Sequence, residues 1–420
     1  MGSALSEISQ DQLESAAGRM LLEILRRTHL SPPDAVSTVV AEEARTIGIT
    51  SLVMYVIDYE QTVLVPVPGP DTRGPEPLSI AGTVAGRAFT TGSIVQTKAG
   101  DVRRLWLPLL DGTERMGVVE LVMPGPAGGF PRHVLAVLER FTHLIATLLV
   151  TKDPYGDVFT RLRRRKEMTT ATELLRELVP PSTMATEDFI LGALLEPAYD
   201  VGGDAYDYAL NDGVLHLGIF DGMGHGLAAA GVATFALAAY RHGRRRGESL
   251  AALYAAIDVE IAEQYPSGQY VTACLAELDI KSGRLRWISA GHPQPLLLRG
   301  GRFVKALDVK PSPPMGMHLA DREPVVGDES LEPGDMLLLY TDGLTESRRP
   351  DGRLFTTERL AEFIERQAGG GEAAPDTLRR LREAIIERGE GSLRDDATAM
   401  LVEWRRETHH RVLPETVLED

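Results

Sequence analysis

The sequence predicts an α+β chain of two domains: an N-terminal α/β module, a helical linker, and a C-terminal α-β-β-α sandwich. Three observations carry this. At 420 residues the chain is too long for one hydrophobic core. From about residue 189, short strand-like runs alternate with helices in consecutive pairs, which suggests two antiparallel sheets covered by helices. In that part four acidic motifs stand at the edges of apolar runs: Val201-Gly202-Gly203-Asp204, Asp221-Gly222-Met223-Gly224-His225-Gly226, Tyr340-Thr341-Asp342-Gly343 and Asp395-Asp396-Ala397-Thr398.

Residues 13–27 form an amphipathic helix with Leu13, Met20 and Ile24 on one face, ended by Ser31-Pro32-Pro33, and 34–47 a second. Strand-like runs at 51–57 and 62–67 follow, then a Pro/Gly-rich turn at 66–77 and a glycine-spaced segment at 80–91. Residues 105–109 and 116–122 pair as a hairpin around Asp111-Gly112. Residues 131–150 are helical, with Leu138, Phe141, Ile145 and Leu148 spaced 3-4-3. A second helical run carries Met168, Ala171, Leu175 and Leu178 at the same spacing and stops at Pro180-Pro181. Such spacing gives a narrow seam. It suits a homodimerising helix between the domains, the favoured expectation, or packing on the domains themselves. Strands are expected at 190–195, 207–210, 215–220, 271–279, 285–290, 296–299 and 336–340, with Ser282-Gly283 closing a hairpin. Helices are expected at 226–241, 249–263, 356–367 and 377–388. The boundaries follow: an N-terminal segment 1–15, domains at 16–150 and 183–405, a linker at 151–182 and a tail at 406–420.

Composition narrows the class. Hydrophobic residues at 43% and charged residues at 25% describe an ordinary globular protein. A net charge of −16 argues against nucleic acid as the main partner. No uninterrupted apolar stretch suggests a membrane span, and residues 1–10 do not read as a secretory signal, so a cytoplasmic location is expected. The single cysteine, Cys274, excludes an internal disulfide and a Cys-rich zinc site. The basic runs Arg161-to-Lys166 and Arg241-to-Arg246 read as solvated helix faces.

The acidic motifs carry the chemistry. Strand ends hold side chains more rigidly than open loops, so carboxylates converging from several of them make a cage for hard cations. Mg²⁺ and Mn²⁺ prefer oxygen ligands, and a two-metal site suits hydrolysis of a phosphate ester. A lone Asp-Gly is a turn; four in this order are not. The glycines of the second motif let the backbone bend after Asp221, and the Gly222 carbonyl is a natural further ligand. His225-Gly226-Leu227 lacks the Gly-Lys-Ser/Thr of a nucleotide P-loop.

Residues 16–150, including the Gly82-x-x-x-Gly86 turn into Arg87-Ala88-Phe89, resemble a GAF domain in pattern. Residues 167–404 resemble the SpoIIE branch of the PPM family of metal-dependent protein phosphatases. That resemblance rests on Leu174-Leu175-Arg176-Glu177-Leu178-Val179-Pro180-Pro181, Pro197-Ala198-Tyr199-Asp200 with the first acidic motif, and Ala290-Gly291-His292-Pro293. It continues in Leu331-Glu332-Pro333-Gly334-Asp335 and the last two acidic motifs. It implies that Asp204, Asp221, the Gly222 carbonyl, Asp342 and Asp395 hold two Mn²⁺ or Mg²⁺ ions, with Asp221 bridging. It further implies a phosphoserine/phosphothreonine phosphatase acting on a phosphorylated STAS-domain anti-anti-sigma factor, under a GAF-like sensor with an unidentified small-molecule or protein signal. Ala205 and the pair Gly222 and His225 depart from the usual family pattern without removing a ligand. Asp396 either joins the functional carboxylates or only orients Asp395 or caps the strand. His225 reads as a surface helix-start residue rather than a replacement for the family's lysine or a proton donor, and His292 as a loop-shaping residue rather than a metal ligand. Residues 311–322 form a recognition loop or a packed connector. Two readings of other classes stand beside this one: a catalytically silent scaffold binding phosphorylated partners, and a small-molecule sensor with a purely structural output.

Overall fold

The computed structural model describes residues 10–69, 75–99, 102–126, 128–197, 199–200, 202–319, 323–346, 356–388 and 395–404. Val201, Ala198, the 406–420 tail, residues 1–9 of the N-terminal segment and residues 320–322 of the 311–322 loop lie outside them. The chain divides into two compact units, one running to Lys166 and the other beginning at Glu167.

The first unit is built on six antiparallel strands: β1 (Ser51–Ile57), β2 (Val63–Pro66), β3 (Leu78–Ser79), β4 (Val95–Ala99), β5 (Val102–Asp111) and β6 (Glu114–Pro124). Their order is β3-β2-β1-β6-β5-β4. Alternation along the strands sends side chains to opposite faces. Met54, Val56, Leu105, Leu107, Val119 and Leu121 meet the helices α1 (Gln10–Thr28), α2 (Val36–Ala44), α4 (Arg132–Lys152) and α5 (Val158–Arg163) in one core. On the other face Tyr55, Ile57, Trp106 and Val118 close on Ala85, Ala88 and Phe89 of α3 (Val84–Thr91), whose first turn Thr83 caps through Gly86 N.

Leu138, Phe141, Ile145 and Leu148 all lie in the first core, so the expected seam packs within its own unit. By length and composition residues 132–155 could cross a membrane, unlike the expectation from uninterrupted runs, but just over half of that apolar window is buried inside the protein. Of the basic run, Arg163 lies over the Tyr59 ring and donates to the Ile57 carbonyl, and Lys166 pairs with Glu60.

The second unit holds two antiparallel sheets. One follows the order β15-β12-β11-β10-β9 and comprises β9 (Asp204–Asn211), β10 (Val214–Gly222), β11 (Val271–Asp279), β12 (Arg284–Ala290) and β15 (Gly327–Ser330). The other follows β14-β13-β16-β17-β8-β7. It comprises β7 (Thr183–Ala185), β8 (Phe189–Glu196), β13 (Leu296–Arg299), β14 (Arg302–Ala306), β16 (Asp335–Tyr340) and β17 (Ala397–Trp404). Helices α7 (Gly226–Arg245) and α8 (Leu250–Gln264) cover the first sheet, and α10 (Thr357–Gly369) and α11 (Ala374–Arg388) the second. Inward residues of both sheets, such as Leu217, Ile219, Leu337 and Met400, share one core, so the layering is α-β-β-α.

The segment expected as one linker helix is broken. A second-unit helix, α6 (Thr170–Arg176), buries Ala171 and Leu175 in the second core and packs on α7. The carbonyls of Leu178, Pro180 and Pro181 accept hydrogen bonds from Arg241, Tyr206 and Tyr208. Arg241 and Arg244 were expected on a solvated face. They instead turn onto Asp207, a buried aspartate that would otherwise stand unpaired against the sheet.

Candidate metal centre

The acidic residues sit where strands end. Asp204 opens β9 and Asp221 is the last residue but one of β10; the antiparallel register places them directly opposite each other. In that register Gly203 lies beyond the end of β9, its carbonyl accepting from Gly222 N at 3.0 Å. Beyond β10, Gly224 and Gly226 adopt φ of 94° and 71°, the left-handed region that side chains resist, which lets the chain turn sharply into α7. Asp342 opens α9 (Asp342–Glu346), a single helical turn after β16 that the strand pattern had not foreshadowed. Asp395 immediately precedes Asp396 and β17.

The supporting residues are more specific than the sequence indicated. One oxygen of Asp396 accepts the backbone N–H groups of Gly202, Gly203 and Asp204, at 2.7, 2.6 and 3.1 Å. It therefore fixes the turn that delivers Asp204, where the expectation had been that it orients Asp395 or caps the strand. Thr341 Oγ1 donates to Asp204 Oδ2 at 2.8 Å and accepts from Thr398 N at 2.9 Å, tying β16 and β17 to β9. Thr272, the cross-strand partner of Asp221 on β11, has its Oγ1 3.5 Å from Asp221 Oδ2 and 2.9 Å from His292 Nδ1. Residues 341, 272 and 396 escaped sequence reasoning in these roles. Only the adjacency of Thr341 to Asp342 and of Asp396 to Asp395 could have signalled two of them.

Electrostatics bind the acids into one cluster. Burial, followed by the charges of Asp342, Asp395 and Asp396, pushes the Asp221 carboxyl up to about 7. Burial and then Asp221 and Asp396 raise Asp204 well above the usual range. Burial, then Glu346 and Asp395, raises Asp342. Burial also raises Asp396, although its three amide partners pull the other way. Among the described residues no three acidic, histidine or cysteine side chains already form a ready ligand group. The donor set nevertheless fits hard divalent cations: all-oxygen, anionic, and strained by mutual repulsion that a cation would relieve.

His292, expected to shape a loop, is 5% exposed and touches the cluster through Thr272; burial lowers its pKa to about 3. His225 stands at the N-terminal edge of α7 without a side-chain capping bond. Of the 311–322 loop, Ser312 and Met315 form isolated bridges to Ala290 and Val271, and Gly316 N donates to Asp258 of α8 at 2.7 Å. The described part packs at Ser312 and Met315, while Met317, His318 and Leu319 are exposed.

Residues 211–405 match the family described as Stage II sporulation protein E (SpoIIE). Protein IcfG of Synechocystis sp. is 24% identical over 269 residues, 57% of this chain and 42% of that protein. Phosphoserine phosphatase RsbU of Bacillus subtilis is 22% identical over 241 residues, 57% of this chain and 70% of that protein. The structure of the RsbU and RsbW domains of Rv1364c from Mycobacterium tuberculosis covers 55% of this chain and 64% of its own, with 27% identity and a TM-score of 0.46. The chain thus spans less than half the length of IcfG. The family match takes in Asp221, Gly222, Asp342 and Asp395 and begins after Asp204. The matched residues lie within the second unit, which is similar to the SpoIIE family over that stretch.

Proposed function

We propose that the chain is a metal-dependent phosphoserine/phosphothreonine protein phosphatase. The observation that carries this reading is the convergence of Asp204, Asp221, Asp342 and Asp395 from four strand ends, with their charges uncompensated by one another. Asp204, Asp221, the Gly222 carbonyl, Asp342 and Asp395 would hold two Mn²⁺ or Mg²⁺ ions. When bound, such ions neutralise phosphoryl charge and make water a competent in-line nucleophile near neutral pH. The chain's own contribution is placement. Asp396 holds the Asp204 turn through three amides, Thr341 orients the Asp204 carboxylate, and the β9–β10 register fixes Asp204 against Asp221.

The substrate we propose is a phosphorylated STAS-domain anti-anti-sigma factor, and the first unit a GAF-like sensor governing the second. The similarity to RsbU, a phosphoserine phosphatase, supports the first point. The six-stranded sheet of the first unit, with helices on both faces, supports the second. The test is phosphate release from p-nitrophenyl phosphate and a phosphoserine peptide, with Mn²⁺ present and then chelated. Activity that requires Mn²⁺ and is lost in both Asp221→Asn and Asp342→Asn is the expected result. Equal rates in the wild type and both variants would sink the assignment.

A further inference from the structure

His292 has a place in the fold that loop shaping does not use. It stands two residues after the end of β12, and its backbone is held on two sides. Its carbonyl accepts from Ser289 Oγ, and the neighbouring Gly291 N donates to Ser312 O at 2.8 Å. The ring is thereby fixed in a buried position with Nδ1 2.9 Å from Thr272 Oγ1. Thr272 in turn is the only side chain among the described residues that hydrogen-bonds Asp221.

A threonine hydroxyl has one proton, so its direction depends on the imidazole. With the His292 proton on Nε2, a buried atom without a hydrogen-bond partner in the structure, Nδ1 must accept from Thr272 and the hydroxyl turns away from Asp221. With the proton on Nδ1, the ring donates to Thr272 Oγ1 and the hydroxyl is free to donate to Asp221 Oδ2. Only the second arrangement supports an ionised Asp221, and metal ligands commonly depend on such outer partners for orientation. We propose that His292 is a positioning residue for Asp221, acting through Thr272 with its proton on Nδ1. The inference rests on Asp221 being a metal ligand, so its test must separate the two.

Mn²⁺ binding to the full chain, measured by titration calorimetry, makes that separation, with Asp221→Asn as the control. Thr272→Val, which keeps shape and removes the hydroxyl, is expected to weaken Mn²⁺ about tenfold, while Thr272→Ser stays within about threefold of wild type. His292→Leu should weaken binding similarly, and adding Thr272→Val to it should cost little more, because the two act in series. Nitrogen-15 shifts of the ring should report a protonated Nδ1. Wild-type affinity in Thr272→Val alongside loss in Asp221→Asn overturns this inference and leaves the metal centre standing. Additive losses, or a proton on Nε2, overturn it too. Wild-type affinity in Asp221→Asn overturns both. If His292→Leu does not fold, the isosteric threonine variants decide.

Discussion

Asp396 contributes to the site by what it holds. Three backbone N–H groups converge on one of its oxygens, and two belong to the buried residues Gly203 and Asp204. Removing the carboxylate strands those donors, and an unsatisfied buried donor costs about 1–3 kcal/mol. Asp396→Ala is therefore expected to lower unfolding free energy in urea by about 3 kcal/mol or more, while Asp396→Asn, which keeps one acceptor oxygen, loses less. A loss in Asp396→Ala no greater than at an exposed surface site would contradict the clamp. Close approach makes a second residue-level case. A Cβ at Gly343 would stand 1.7 Å from the Asp396 carbonyl oxygen, so Gly343→Ala must displace either β17 or the helix that opens with Asp342. We expect that variant to lose Mn²⁺ affinity along with stability, both readable in one thermal melt series with and without metal.

At the scale of elements, α4 shows how a helix can carry a titratable charge into a core. Glu139 is 4% exposed, its Oε2 has no hydrogen-bond partner, and burial pushes its pKa up to about 7. The folded state thus holds the proton more tightly than the unfolded chain, whose value is near the ordinary 4.5. Stability from this group is complete below the unfolded value and is lost as pH rises through the folded one. Glu139→Gln should flatten that dependence, raising stability by about 1–3 kcal/mol at about pH 8 and much less at about pH 5. Urea unfolding at the two pH values is the check, and an unchanged slope would show that Glu139 is solvated. In α1, by contrast, Gly18 has open space around its missing Cβ. Gly18→Ala is expected to stabilise by about 0.5–1 kcal/mol, since it removes backbone entropy from the unfolded chain without a clash.

At the scale of the whole molecule, the division at Lys166 assigns the 167–182 segment to the second unit. Leu175 is fully buried there and Ala171 nearly so, and three carbonyls of residues 178–181 are bonded to β9 and α7. A protein beginning at Glu167 is expected to unfold in a single cooperative transition. One beginning at residue 183 should be less stable by about 3–5 kcal/mol, from the lost Leu175 burial and the stranded partners. Equal midpoints in urea would show that α6 is dispensable. The proposed control by the first unit would pass through this same segment, because it is the stretch of chain that leads from the first unit into the second unit's core.

The sequence by itself determined which residues could do the chemistry and which class of fold would carry them. Aspartates beside glycines at the edges of apolar runs are local signals, and period-2 and 3.6-residue patterns mark most strands and helices because each element must hide one face. β1 was legible to the residue, and the hairpin around Asp111-Gly112 was legible in kind. The short edge strands β7, β14 and β15 were not, since β14 is exposed throughout and carries little apolar pattern. The seam of Leu138, Phe141, Ile145 and Leu148 was legible as a buried face, but what covers it was not, because spacing names a face and not its partner. Tertiary structure alone decided the rest. Register set Asp204 against Asp221 and Thr272 beside it, and residues nearly two hundred positions apart met at Asp396. Such contacts depend on how strands pair across the sheets, which no local pattern encodes.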